Sequence, residues 1–412
     1  MRAARSPLVF MLAAVVFINY VDRGALGTAA PLLRLDLALS DAQTGILLSA
    51  FFWTYAFMQI PIGLLAERFG AHRVLAVGLS VWASATILVG FAHTFTALLL
   101  LRLLLGLGES AGFPCASKLL ASAVPPKGLG QANGIVAFAY LFGPAVGLYA
   151  GGLLMAQFGW RSAFFVFGAL SLLWLWPWSR VARQVPARPP SNAEDSPRFW
   201  TVFKNPAMWG TGLGLFSINY VFYFMLTWLP SYLVRARGFS MLEMSQIAGA
   251  SYVLNALSAL AGGWAIDRYI RRGGSGSVAY KTVLAVAHIG SVVCMLSMAV
   301  GSKPLALSAM FLFQVLCGSS SPCVFAVSQI LAGPRAAGRW VGIQNTCGSL
   351  AGILAPALTG FIVDRTHAFT NAFLVAAAVS LLGLVGWVWM LPTLAELPWR
   401  KLGAPRAAPA LT

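Results

Sequence analysis

Charge is what this 412-residue chain has least of: Asp, Glu, Lys and Arg together make up 9% of it, where a soluble globular domain carries about a quarter. That supply cannot build a surface that faces water on every side. The five cysteines, Cys115, Cys294, Cys317, Cys323 and Cys347, are odd in number, lack paired spacing and sit in apolar runs. They give neither a disulfide framework nor a metal site and read as packing residues. No Asn-x-Ser/Thr sequon occurs, which favours a bacterial inner membrane over a glycosylated cell surface. No nucleophile–base set and no metal cluster is visible, so an enzyme is not expected and no cofactor is called for. A sizeable soluble domain is also missing, which argues against a non-transporting membrane sensor.

What is present is hydrophobic: 59% of residues, with a mean hydropathy of +0.78. The apolar runs are about twenty residues or longer, the length of a membrane-crossing helix, whereas a transmembrane barrel has short alternating segments. The expected fold is an all-α polytopic membrane protein of twelve spans. The first six are Leu8–Leu33, Thr44–Ala66, Val74–Ala92, Phe95–Ala121, Leu129–Met155 and Ser162–Val181. The second six are Pro206–Val234, Met241–Ile266, Lys281–Val300, Pro304–Leu331, Gly338–Val363 and Asn371–Leu391. Arg2 and Arg5 before the first run imitate a signal peptide, but the run is too long and contains Asp22-Arg23, so it reads as a retained helix. One loop, Arg183–Lys204, has the Pro-, Arg- and Ser-rich composition of a linker. The expected division is therefore a six-helix half over 1–181, a linker over 182–205 and a second half over 206–412.

The net charge of +17 does not point to nucleic acid, because the bases cluster in alternate loops. With twelve spans, 20 of the 28 Lys and Arg residues fall on the side that carries both termini, six on the other and two, Arg23 and Arg102, within spans. The positive-inside rule makes that side cytoplasmic.

The two halves repeat. Ile18-Asn19-Tyr20 recurs as Ile218-Asn219-Tyr220, and Gly63–Arg68 as Gly263–Arg268, both at an offset of 200. Pro114-Cys115 recurs as Pro322-Cys323, and Gly134-Ile135 as Gly342-Ile343, at an offset of 208. Six-span repeats in the same orientation are parallel repeats, which place a site between them near the midplane.

Gly63-Leu64-Leu65-Ala66-Glu67-Arg68-Phe69-Gly70-Ala71-His72-Arg73 resembles the loop 2–3 signature of the major facilitator superfamily. Four further stretches resemble its anion:cation symporter family: Asn19-Tyr20-Val21-Asp22-Arg23, Phe52–Gly63, Arg102–Glu109 followed by Phe113-Pro114, and Thr227–Leu233. The resemblance implies a proton-coupled symporter of a small organic anion, such as a monocarboxylate or sugar acid. It implies that Arg23 binds the substrate anion, that Tyr55 contacts it, that Asp22 and Glu109 couple protons, and that Arg102 steadies an acid. It also implies that Gly63, Glu67, Arg68 and Arg73, with Asp267 and Arg268, form a cytoplasmic gate, although Glu67 stands where the signature usually has Asp. Partners would be the substrate, protons and the bilayer, with a monomer expected. The fifth span offers Tyr140 and Gly143-Pro144 without the polar substrate-binding side chain of sugar-acid members. Gly143-Pro144 with Gly147 and Gly151-Gly152 is also a hint of an exchanger, and small residues equally serve close helix contact.

Four charges inside spans would cost on the order of 10–14 kcal/mol unpaired. Arg102 and Glu109 are two turns apart on one helix face. Counting from the span ends puts Asp22 level with Arg102, and Glu109 about 10 Å closer to the cytoplasm. Side chains lean toward their helix N-terminus, so two layers are expected: Asp22 with Arg102, and Arg23 with Glu109. A purely structural salt-bridge network is the alternative. Tyr20, Asn219, Tyr220 and Tyr223 are candidate substrate hydrogen-bonders, as are Ser320, Asn345 and Ser349. His288, in the ninth span, reads as packing.

Overall fold

The computed structural model describes residues 7–123, 126–182, 197 and 199–399. Among them every regular element is helical. In chain order these are α1 (Pro7–Asp36), α2 (Asp41–Phe69), α3 (Ala71–Val89), α4 (Phe95–Glu109), α5 (Gly112–Ala123), α6 (Pro126–Phe158), α7 (Trp160–Leu173) and α8 (Leu175–Val181). There follow α9 (Phe199–Phe203), α10 (Pro206–Ser231), α11 (Met241–Arg271), α12 (Gly276–Val300), α13 (Lys303–Thr366) and α14 (Thr370–Leu384). Ten segments are long and apolar enough to cross a membrane. With α2 and α11, of 29 and 31 residues, they make up the twelve expected spans. The linker expected over 182–205 lies mostly outside the described residues; α9 is its described end.

Two turns within the helical chain have identifiable reasons. The fourth span turns between Glu109 and Gly112, where α4 gives way to α5. Pro114 lies four residues after Ser110; it has no N–H for the Ser110 carbonyl, and its ring crowds that carbonyl. The tenth and eleventh spans run together as α13, whose 64 residues turn at Gly333 (φ +61°). That left-handed conformation suits glycine, and a Cβ there would also collide with the Glu396 side chain.

The sequence repeat extends to the helix caps. Ser40 and Gln43 form a reciprocal capping box on α2, with bonds of 3.1 and 2.9 Å. Ser240 and Glu243 form the same box on α11 at 3.2 and 2.8 Å, again 200 residues on. Each box satisfies two of the N–H groups that a helix start leaves without partners.

Within the first six spans the most extensive pairing is α1 with α6, and within the second six α10 with α13; across the two sets α2 packs on α13 and α6 on α11. Gly143 and Gly147 allow the close approach of α6 to α1, since a Cβ on either would meet the Tyr20 side chain or the Val21 backbone. Packing therefore accounts for the small residues that hinted at an exchanger. Two contacts across the sets are copies of each other. Gly45 backs onto Gly360, and Gly152 backs onto Ser245. Advancing Gly45 by 200 gives Ser245, and moving Gly360 back by 208 gives Gly152, so one pseudo-two-fold relates both contacts. Both lie toward the end of the bundle where α2 begins, the Asp41 end.

That end is shut. Asp41 is buried and takes Arg34 at 3.2 Å from its own half. From the other half it takes Arg235, bidentately, with the second bond at 2.9 Å. Its backbone N–H donates to Asp364 Oδ1 at 3.1 Å, and Gly27 would meet the Leu226 carbonyl at 2.6 Å if it carried a Cβ. At the opposite, Gly63 end, a Cβ on Gly63 or Gly342 would meet nothing. No ion pair between described residues joins the two sets there.

Candidate functional site

Arg23 lies in the buried middle of α1, 6% exposed. Its Nε donates to Glu109 Oε2 at 3.0 Å, and its Nη1 donates to the Tyr20 hydroxyl at 3.3 Å. Three rings enclose the guanidinium: Tyr20 and Tyr55 at 4.5 Å each and Phe51 at 4.8 Å from ring centre to Cζ. Phe51 and Tyr55 are one turn apart on α2 and stack at 5.0 Å. Cation–π contacts of this kind, worth about 2 kcal/mol or more when desolvated, hold the cation in place without neutralising it. The bend at Ser110-Ala111 puts Glu109 on the last residue of α4. There the helix dipole disfavours an anion, so this carboxylate leans on Arg23.

Some hydrogen-bonding capacity in this centre is unused. Arg23 Nη2, Glu109 Oε1 and both side-chain polar atoms of Asn19 are buried without a hydrogen bond of good geometry to another described residue. Asn19 stands one turn before Arg23 on the same face of α1. Buried polar atoms are normally bonded, and together these offer donors and acceptors to a small polar guest.

The expected upper layer does not form. Asp22, 4% exposed, accepts a bond from Trp82 Nε1 of α3 at 3.0 Å, and no cation lies within ion-pair distance among the described residues. Arg102 donates instead to the Leu47 carbonyl at 3.3 Å and lies over the Phe51 ring at 5.2 Å. The reason is rotational. Consecutive helix residues point about 100° apart, so an α1 that aims Arg23 at α2 and α4 turns Asp22 toward α3. Arg102 meanwhile faces α2. The expectation rested on depth along the helix axis and left direction around it open. The lower layer, Arg23 with Glu109, is present.

Arg23 and Arg102 line one small cavity together with Phe51, Phe52, Tyr223 and Thr227. The last two come from α10, so both six-span sets contribute, and the ring of Tyr223 meets Phe52 at 4.5 Å. Tyr140 packs edge-on to Tyr20 at 4.4 Å. Of the other candidates, Asn219 spends its amide on the Gly348 carbonyl at 3.1 Å, tying α10 to α13. Tyr220 is buried against Phe216. Ser320 donates to the Cys317 carbonyl and faces a different cavity. Asn345 and Ser349 are half-buried on α13 without a hydrogen bond to Arg23. Arg68, Arg73, Asp267 and Arg268 are exposed, with Arg68 over Phe69 and Arg268 over Trp264. The Glu67 side chain lies outside what is described, and the structure does not bring the gating set together. Asn19 stood in the repeat and in the family stretch but was given no role; residues the sequence did not single out are Trp82, Phe51 and the Arg34–Asp41–Arg235 group. Only Trp82 left a trace, as an indole N–H in an apolar helix that needs an acceptor.

The sequence profile of the Major Facilitator Superfamily matches residues 12–356. The hexuronate transporter of Bacillus subtilis (strain 168) is 32% identical, the match spanning 91% of this chain and 92% of that one. A probable sulfoacetate transporter, SauU, of Cupriavidus necator is 30% identical over 98% of each chain. Among solved structures, a bacterial homologue of the human lysosomal transporter Spinster superposes with a TM-score of 0.80, covering 98% of this chain and 99% of that one at 19% identity; at that identity it speaks for the fold alone.

Proposed function

This chain belongs to the major facilitator superfamily, and from that premise we propose that it is a secondary transporter that moves a small organic anion together with protons by alternating access. One observation carries the reading: two guanidiniums, Arg23 and Arg102, line a single cavity between the six-span sets, and among the described residues only Arg23 has a carboxylate partner. A cavity whose described lining holds two guanidiniums and no carboxylate is a site for an anion. The named relatives, a hexuronate and a probable sulfoacetate transporter, support that chemistry.

The substrate carboxylate or sulfonate takes the free Nη2 of Arg23 and displaces Glu109. A carboxylate left at a helix C-terminus, in low dielectric and without its counter-ion, takes up a proton. Proton and anion then favour each other's binding by the same factor. Asp22, bonded to a neutral indole N–H, is a second group suited to carry a proton. The neutralised site lets the two sets rock about their pseudo-two-fold. The shut Asp41 end faces the outside and the Gly63 end the cytoplasm, the orientation that the loop charges favour, in a bacterial inner membrane.

The test is flux into liposomes holding the purified protein, with an imposed pH step and a panel of hexuronate, glucarate, sulfoacetate and short monocarboxylates. Symport predicts uphill uptake of one of these driven by the pH step alone. Exchange only against preloaded anion, indifferent to pH, would replace this reading with an exchanger.

A further inference from the structure

The second six-span set holds a polar cavity of its own, away from Arg23. It measures about 20 Å³, room for one water molecule. Ser217 of α10, His288 and Ser291 of α12, Cys317 and Ser320 of α13 and Ser380 of α14 supply its polar lining. His288 is 4% exposed. Its Nδ1 lies 2.7 Å from the Leu284 carbonyl, which can only accept, so Nδ1 carries the hydrogen and the neutral ring presents a lone pair on Nε2. Nε2 has no partner, and a Cβ on Gly383 would collide with both it and Ser217 Oγ. Glycine at that position leaves the two atoms facing the same space.

The donors around that lone pair are mostly spent elsewhere. Ser217 donates to the Val379 carbonyl at 2.6 Å and Ser320 to the Cys317 carbonyl at 2.9 Å. Ser291 and Ser380 share one hydrogen between them at 3.1 Å. Beyond one spare hydroxyl hydrogen and the weak thiol donor of Cys317, what faces the cavity is acceptors. Among the described residues no charged side chain of α10, α12, α13 or α14 lines it, and Cys317 is the one other titratable group that does. An uncharged cavity rich in acceptors is short of hydrogen-bond donors. A hard metal cation would want a shell of about six or more oxygens, and here the unpartnered atom is an imidazole nitrogen.

We propose that this cavity is a proton-binding site of the second six-span set, with His288 Nε2 as the acceptor and Ser217 Oγ beside it to accept a hydrogen bond from the imidazolium. The proton arrives through water and adds to the lone pair; no other bond changes. The site is distinct from Glu109. Ser217 stands on α10, the helix that also supplies Tyr223 to the Arg23 cavity, so a charge on His288 acts on a helix shared by both cavities.

The experiment is a pH titration, between about pH 5 and pH 9, of the full-length protein labelled with ¹⁵N-histidine in lipid nanodiscs. The chain has four histidines, and His288→Gln identifies the resonance. If that variant does not fold, the resonance perturbed in Ser217→Ala identifies it instead. The expected result is a His288 signal that passes from the Nδ1–H neutral ring to the imidazolium, with a midpoint displaced in Ser217→Ala. A ring that stays neutral throughout, or one that responds to sodium and not to pH, overturns the proposal.

Discussion

Asp22 and Arg23, neighbours in sequence, serve different helices: Asp22 is bonded to Trp82 on α3 at 3.0 Å, and Arg23 to Glu109 on α4 at 3.0 Å. The doublet is therefore not an internal ion pair. It is a pivot on α1 that connects two acids to two different surroundings, one cationic and one neutral.

Trp82→Phe tests the neutral side. The ring stays and the N–H goes, leaving the Asp22 oxygen without its donor, at a cost of about 1–3 kcal/mol for an unsatisfied buried polar group. The expected outcome is a lower melting temperature in detergent and an altered pH dependence of uptake, with substrate binding intact. An unchanged melting curve and an unchanged pH profile together would mean that Trp82 contributes nothing to Asp22.

Glu109→Gln tests the cationic side. The amide keeps the shape but can neither carry a proton nor balance Arg23. Leaving a buried cation unpaired costs about 3–5 kcal/mol, a penalty that a bound anion relieves. Uptake driven by a pH step should be lost while anion exchange survives, and substrate should raise the melting temperature more in the variant than in the parent. Intact proton-driven accumulation would remove Glu109 from the coupling.

The span count, the repeat and the Arg23–Glu109 pair were legible because each follows from hydropathy, spacing or axial depth, which a sequence carries. The Asp22–Arg102 pair failed because rotation about a helix axis is set by packing. Tyr20 and Val21 against Gly143 and Gly147 fix how α1 is turned, and no spacing within α1 reports it. The surroundings of His288 were not legible for a similar reason. Its helix packs closely on α13 and α14, and only the structure shows the imidazole turned inward, into a cavity made by four helices. The Asp41 group joins residues 194 apart in the chain and has no local signature.

Asp41→Asn tests that group as an outer latch. Arg34 and Arg235 would lose the charge they share, and both are about 30% exposed, so the effect should be partly screened by salt. Spin labels at the exposed positions Leu35 and Leu242 should show a larger population of long distances in the variant. The difference from the parent should shrink as salt is raised. Equal distance distributions at low salt would assign closure to the glycine contacts alone.

Those contacts can be tested against each other because they are symmetric in position and different in substance. A Cβ on Gly45 would sit 2.6 Å from the Pro356 carbonyl oxygen and 2.9 Å from the Gly360 Cα, both backbone atoms. A Cβ on Gly152 would collide instead with the Ser245 side chain. Overpacking of this kind costs about 1–3 kcal/mol, so Gly45→Ala and Gly152→Ala should each shift the Leu35–Leu242 distances toward opening at the Asp41 end, by about tenfold in population per 1.4 kcal/mol. Ser245→Gly removes the atom that Gly152→Ala meets and should restore closure there. No single side-chain truncation can do the same for Gly45→Ala, because its obstacle is the α13 backbone. Failure of Ser245→Gly to restore closure would mean that the two contacts do not share the load the pseudo-two-fold assigns them.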